Sequence, residues 1–178
     1  MTGRKTFLLG AALLLASCSL VALPFETDLT AGIPASYRSG SLEIPAGSFP
    51  EGTVLYIPDV EGYSFSIDAA QGALRSATLD VELTLSFSGR SVPRGNLELR
   101  FLLVKGNSKV ELLRTSWDFA QNPTKVQKNV SLSPKALDLV NSRKFGFMVE
   151  AYPHFVLNYP GTLTYTVNRI YLKGTVGL

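Results

Sequence analysis

Nine consecutive residues, Leu79-Asp80-Val81-Glu82-Leu83-Thr84-Leu85-Ser86-Phe87, alternate apolar and polar without a fault. Successive side chains of an extended chain point to opposite faces, so five apolar side chains share one face and four polar ones the other. A helix does not separate this pattern, because its buried stripe needs apolar residues three and four apart. The stretch therefore reads as an antiparallel strand, packed on one side and wetted on the other.

Similar runs recur at Thr53–Ile57, Tyr63–Asp68, Leu97–Val104, Lys109–Trp117, Val126–Leu132, Phe145–Tyr152, Phe155–Tyr159 and Leu163–Leu178. Turn text separates them: Pro58-Asp59, Gly89 to Gly95, Gly106-Asn107, Asn122-Pro123 and Pro160-Gly161. One helix of about two turns is expected where Ser133 can cap and Pro134 can open Lys135-Ala136-Leu137-Asp138-Leu139-Val140. Many short strands with one connecting helix predict an all-β chain, an antiparallel β-sandwich of immunoglobulin-like or jelly-roll-like build. In the last strand Leu163, Tyr165 and Val167 share one parity and Ile170 and Leu172 the other. A β-bulge near Asn168-Arg169 would bring both sets to one face; the alternative turns Tyr171 inward and covers the strand on both sides.

The N-terminus is of another kind. Arg4 and Lys5 precede an apolar run from Phe7 to Leu15, then small Ala16 and Ser17 directly before Cys18, the one cysteine of the chain. This is the layout of a secretory signal, and Leu15-Ala16-Ser17-Cys18 resembles the lipobox of bacterial lipoprotein precursors. The resemblance covers about the first 18 positions. It implies a cut before Cys18, a diacylglycerol thioether on its sulfur and often an acyl chain such as palmitate on the new amine. By the sorting rule of double-membrane bacteria, Ser19 rather than Asp after the lipidated cysteine permits export to the outer membrane if the source has two membranes. Two other readings stand beside it: an uncleaved anchor over Phe7–Leu23, and ordinary signal cleavage after Ala22.

The expected organisation is a signal peptide over residues 1–17, a lipidated Cys18 and tether over 18–40, and a sandwich over 41–178. For residues 19–40, punctuated by Pro24, Gly32, Pro34 and Gly40, the sequence leaves open a flexible tether or an irregular first strand. With no second cysteine the mature domain has no internal disulfide and relies on its core, which about 160 residues can supply.

Chemistry-bearing residues are sparse. His154, the one histidine, lies in Tyr152-Pro153-His154-Phe155 between two expected strands and reads as a surface turn residue, although an envelope hydrolase would need it or a carboxylate pair. Asp80 and Glu82 fall on the wetted strand face, where pairing with a neighbouring Lys or Arg is expected. Asp59-Val60-Glu61-Gly62, with Asp68 beyond, lacks the ligand series of a calcium loop and reads as a turn. No phosphate loop, dinucleotide fingerprint or metalloprotease motif occurs, so no catalytic residue, metal or cofactor is assigned.

The tract from Tyr152 to Gly161 is the most distinctive of the mature chain. Tyr152, Phe155 and Tyr159 are candidate ligand contacts for a sugar ring or a partner's pocket; alternatively Phe155, Leu157 and Tyr159 face a core. Residues 19–88 hold two basic and nine acidic residues, whereas 89–178 hold 13 and five. Either strands of the two halves interleave and pair their charges, or a basic face meets anionic head groups, glycans or an acidic partner. The basic residues are scattered singly, which argues against nucleic acid. The expected function is a non-catalytic, membrane-anchored module of the cell envelope, with an envelope protein or surface glycan as partner; the alternative is a carbohydrate- or glycolipid-binding module.

Overall fold

The strand Leu74–Gly89 carries the faultless alternation, and all of its expected inward residues, Leu79, Val81, Leu83, Leu85 and Phe87, are buried. The computed structural model describes residues 22–67 and 73–177. Eleven strands occur among them: β1 (Ala22–Asp28), β2 (Ser39–Ile44), β3 (Gly47–Ser48), β4 (Leu55–Ile57), β5 (Tyr63–Ser66), β6 (Leu74–Gly89), β7 (Arg94–Lys105), β8 (Ser108–Asp118), β9 (Thr124–Ser131), β10 (Lys144–Leu157) and β11 (Gly161–Gly177). Two 3-10 turns (Leu29–Gly32 and Ala35–Tyr37) and one helix, α1 (Pro134–Asn141), join them.

Every pairing is antiparallel. One sheet runs β1-β11-β6-β9 with β2 beside β1 on the edge of β11; the other runs β3-β10-β7-β8 with β4 and β5 also on the edge of β10. When β1 and β2 count as one broken strand and β3 to β5 as another, eight strands read 1-8-3-6 and 2-7-4-5. That order, with the chain crossing between sheets at most connections, is the jelly roll, which decides between the two sandwich types left open by the sequence.

The expected bulge is present. The ladder to β6 slips between Val167 and Arg169, and Leu163, Tyr165, Val167, Ile170 and Leu172 are all buried, while Tyr171 stays half-exposed and donates to Glu26 (2.8 Å). The helix also forms as expected: Ser133 Oγ accepts from Ala136 N (3.3 Å), Pro134 opens the first turn, and Ala136, Leu139 and Val140 enter the core. It crosses from β9 in one sheet to β10 in the other.

Two expectations change. The sandwich includes residues from Ala22 on rather than from residue 41: β1 ladders along β11 through seven pairs, and Leu29, Thr30 and Ile33 are buried. Of the stretch expected over 18–40, residues 22–40 thus belong to the sandwich, the irregular first strand that the sequence left open, and 18–21 lie outside the described residues. The two strands expected at Phe145–Tyr152 and Phe155–Tyr159 are one strand, β10, running through Pro153. Residues 152–155 pair with β7 alone, since the pairing with β4 ends at Ala151 and that with β3 begins at Val156. A residue without an N–H is accepted where one ladder is missing.

Three side chains finish the ladders where strands run out. Thr30 Oγ1 accepts from Ile170 N (2.6 Å) and donates to Ile170 O (3.3 Å), just past the last β1–β11 pair. The Asn141 amide bonds Leu74 N (2.8 Å) and O (2.9 Å), and the Asn122 amide bonds Phe87 N (2.9 Å) and O (2.6 Å), one near each end of β6. Each gives one residue's N–H and C=O what a neighbouring strand would give.

Candidate functional site

Leu15, Ala16, Ser17 and Cys18, the expected lipid-attachment residues, lie outside the described residues, as does Asp68. The other candidates are placed, and the aromatic trio does not converge. Phe155 is buried and packs edge-on against Phe49 (5.1 Å) and Phe119 (4.8 Å). Tyr152 has the opposite parity and lies half-buried on the outer face of its sheet; Tyr159 lies beyond the end of β10, 51% exposed, with Arg90 over its ring (5.9 Å). Strand alternation separates Tyr152 from Phe155, and the end of β10 separates Tyr159 from both, so the three rings form no single platform.

His154 is on β10 rather than in a turn, exposed, with Nε2 4.0 Å from Glu98. Asp80 bonds the Asn129 amide, and Glu82 pairs with Lys125 across the sheet (2.8 Å), as the wetted-face reading expected. Asp59 Oδ1 accepts from Glu61 N (2.8 Å) and Gly62 N (2.9 Å), a local turn. Among the described residues no cluster of three His, Cys, Asp or Glu could hold a metal.

What the sequence reading missed is a polar network on the outer face of β10, β7 and β8. The register aligns Tyr56, Glu150, Arg100 and Arg114 in one row and Tyr152, Glu98 and Ser116 in the next. Glu150, 8% exposed, accepts from Lys109 Nζ (2.7 Å) and the Tyr152 hydroxyl (2.7 Å). Burial pushes its carboxyl up, but those two hydrogen bonds and the charges of Lys109 and Arg100 more than offset this and hold it below the usual range. Burial, then donation to Glu150, raises the Tyr152 hydroxyl. The Arg100 guanidinium lies over the Tyr152 ring (4.1 Å) and donates to Glu98 (2.8 Å), which holds the Glu98 carboxyl low against its own desolvation. Arg114 joins Glu98 (3.6 Å) to Glu111 (3.1 Å).

This network adjoins a small second core on the same face, Leu102, Val104 and Met148, against which Tyr56 packs. Each carboxylate of the group is held by a cation, so the arrangement supplies a fixed, charge-balanced surface rather than a free base poised for proton transfer. The legible signal was Glu150 itself, one charge in the otherwise apolar run Phe145-Gly146-Phe147-Met148-Val149-Glu150-Ala151. A strand buried on both faces has to pair such a residue.

The two charge-biased halves do interleave, since each sheet draws strands from both. Pairing is only partly across halves: Lys125 with Glu82 is, whereas Lys109 with Glu150 and Arg100 with Glu98 lie within the basic half.

No protein-family model and no curated protein matches the sequence. Among solved structures the chain is similar to one in the structure of infectious bursal disease virus Gt strain, at 11% identity over 89% of this chain and 34% of that one, with a TM-score of 0.38. It is also similar to one of the Gx strain of that virus (10% identity, 90% of this chain and 43% of that one, TM-score 0.31). A third is from Desmodium yellow mottle tymovirus (12%, 89% and 91%, TM-score 0.26). The chain thus spans about a third of the first of these and under half of the second. The jelly-roll assignment rests on strand order alone.

Proposed function

We propose that this protein is a lipoprotein of the bacterial cell envelope, held on a membrane through Cys18 and working as a non-catalytic structural or interaction module. The observation that carries this reading is the sequence Leu15-Ala16-Ser17-Cys18 behind Arg4, Lys5 and the apolar run from Phe7. Among the described residues no helix is long and apolar enough to cross a membrane. On the proposed reading attachment comes from the lipid, and two or three acyl chains hold far more firmly than one.

The test is intact mass and detergent partitioning of the protein made in a bacterium with lipoprotein processing, beside Cys18→Ser. A mature chain starting at Cys18 with a diacylglycerol increment, lost together with processing in Cys18→Ser, is the expected result. Normal processing and membrane retention of Cys18→Ser overturns the proposal.

A further inference from the structure

We propose that the end of the sandwich nearest Cys18 sits directly on the anionic bilayer that holds the lipid, with Lys105, Arg143 and Lys144 meeting the head groups. This rests on the reading above that Cys18 carries the lipid. The first support is reach. Residues 18–21 separate the anchor from β1, and four residues span at most about 14 Å however they are arranged. Ala22 pairs with Gly177, whose N–H bonds Ala73 O (3.2 Å), and the next residue, Leu74, is held by Asn141 at the end of α1. Ile67 N bonds Arg143 O (2.9 Å), and β10 starts at Lys144 opposite Ser66. The hairpin turn between β7 and β8 projects at this same end, Gly146 being paired with Val104.

The second support is charge. Among the described residues this end exposes Lys105, Lys135, Arg143 and Lys144 against Asp138, with Glu61 lining the same groove of about 600 Å³ as Lys105 and Lys144; Asp68, next in sequence to Ile67, lies outside the described residues. At the opposite end Arg90 and Arg94 share the loops with Glu51 and Asp118, so the basic excess is not general. A cation attracts an anionic leaflet only within about 8 Å at physiological salt, and the short connection holds the domain near that range.

The third support is conformational. Arg143 adopts φ 70° and is the one non-glycine residue with positive φ among the described residues. Glycine or asparagine suits that position after a helix, so an arginine there keeps its charge at a steric cost.

The experiment uses the lipidated full mature chain in vesicles of phosphatidylcholine, with or without one third phosphatidylglycerol, carrying nitroxide on the head groups. A fluorophore is placed on Asn107→Cys in the β7–β8 turn, or on Val92→Cys at the opposite end. Quenching at 107 is expected to exceed that at 92 at least five-fold. With 20 Gly/Ser residues inserted after Ser19, the bias is expected to persist on anionic vesicles and vanish on neutral ones. Lys105→Gln, Arg143→Asn and Lys144→Gln together, with the melting profile unchanged, are expected to remove it.

Equal quenching at both sites on a chain whose mass shows lipid at Cys18 overturns the inference and leaves the proposed function standing. A chain without lipid at Cys18 overturns both. A spacer variant that binds a sulfated polysaccharide yet shows no quenching bias on anionic vesicles overturns the inference in favour of a glycan.

Discussion

Thr30 tests whether side chains that finish a ladder stabilise this fold through hydrogen bonds or through burial. It is 4% exposed, and its Oγ1 holds both the N–H and the C=O of Ile170, the first inward residue after the bulge. Thr30→Val keeps shape and volume but leaves a buried N–H without an acceptor, which costs about 1–3 kcal/mol. Thr30→Ser keeps the oxygen and loses one methyl, about 1 kcal/mol. Burial alone ranks them the other way, with Val neutral or stabilising and Ser the weaker. At about 2 kcal/mol per molar urea for a chain this size, Val should lower the unfolding midpoint by about 1 M at unchanged slope. Serine should lower it by about half as much. Amide exchange at Ile170 should rise selectively in Thr30→Val. A valine variant as stable as the parent chain, with Ile170 still protected, would falsify this account.

Deleting Asn168, the extra residue of the bulge, leaves Val167, Arg169 and Ile170 opposite Leu83, Glu82 and Val81 and keeps every apolar residue in phase. It should cost about 1–2 kcal/mol, whereas deleting Thr166 turns Leu163 and Tyr165 outward and should cost about 4–6 kcal/mol, read by urea denaturation of both. Glu150, with its carboxyl held below the ordinary range, contributes stability that is fully present above the unfolded-state value near pH 4.3 and is lost as pH falls through the lower folded value. The midpoint of Glu150→Gln should therefore be lower at pH 7 and fall less between pH 5 and pH 3; an acid limb as steep as in the parent chain would assign the acid response elsewhere.

The elements legible in the sequence are those whose pattern is set by one buried face. β6, the bulge of β11 and the capped start of α1 each follow from local spacing alone. β1 was not legible because it is an edge strand with only Phe25 and Thr27 half-buried, so its register is imposed by β11 rather than written as alternation. β10 was divided wrongly because Pro153 is a break in most strands, and only the gap between β3 and β4, a property of the assembled sheet, makes it acceptable here. The network around Glu150 depends on which strands become neighbours: Lys109 and Glu150 are 41 residues apart and meet only through the order β10-β7-β8. The aromatic tract misled for the same reason, since the identity of Tyr152, Phe155 and Tyr159 does not say where the strand stops.

Phe155 has a different task from the one its neighbours suggested. It joins a chain of rings at the end of the sandwich opposite Ala22: Phe49 against Phe155, Phe155 against Phe119, and Phe119 against both Phe87 (5.7 Å) and Trp117 (4.5 Å). The three contacts among the phenylalanines are edge-on, a geometry that stabilises beyond simple burial. Phe49 and Phe119 belong to two of the connections at that end, so the rings fasten loops to strands; Asn122 on Phe87 and Trp117 Nε1 on Gln121 O (3.1 Å) tie the second loop down again. Backbone fixed in this way loses little entropy on meeting a partner. Val92 and Tyr159, 67% and 51% exposed, lie on the neighbouring connections β6–β7 and β10–β11 at the same end. If the basic end faces the bilayer, these side chains point away from it, and the connections at their end become the surface that a partner can reach.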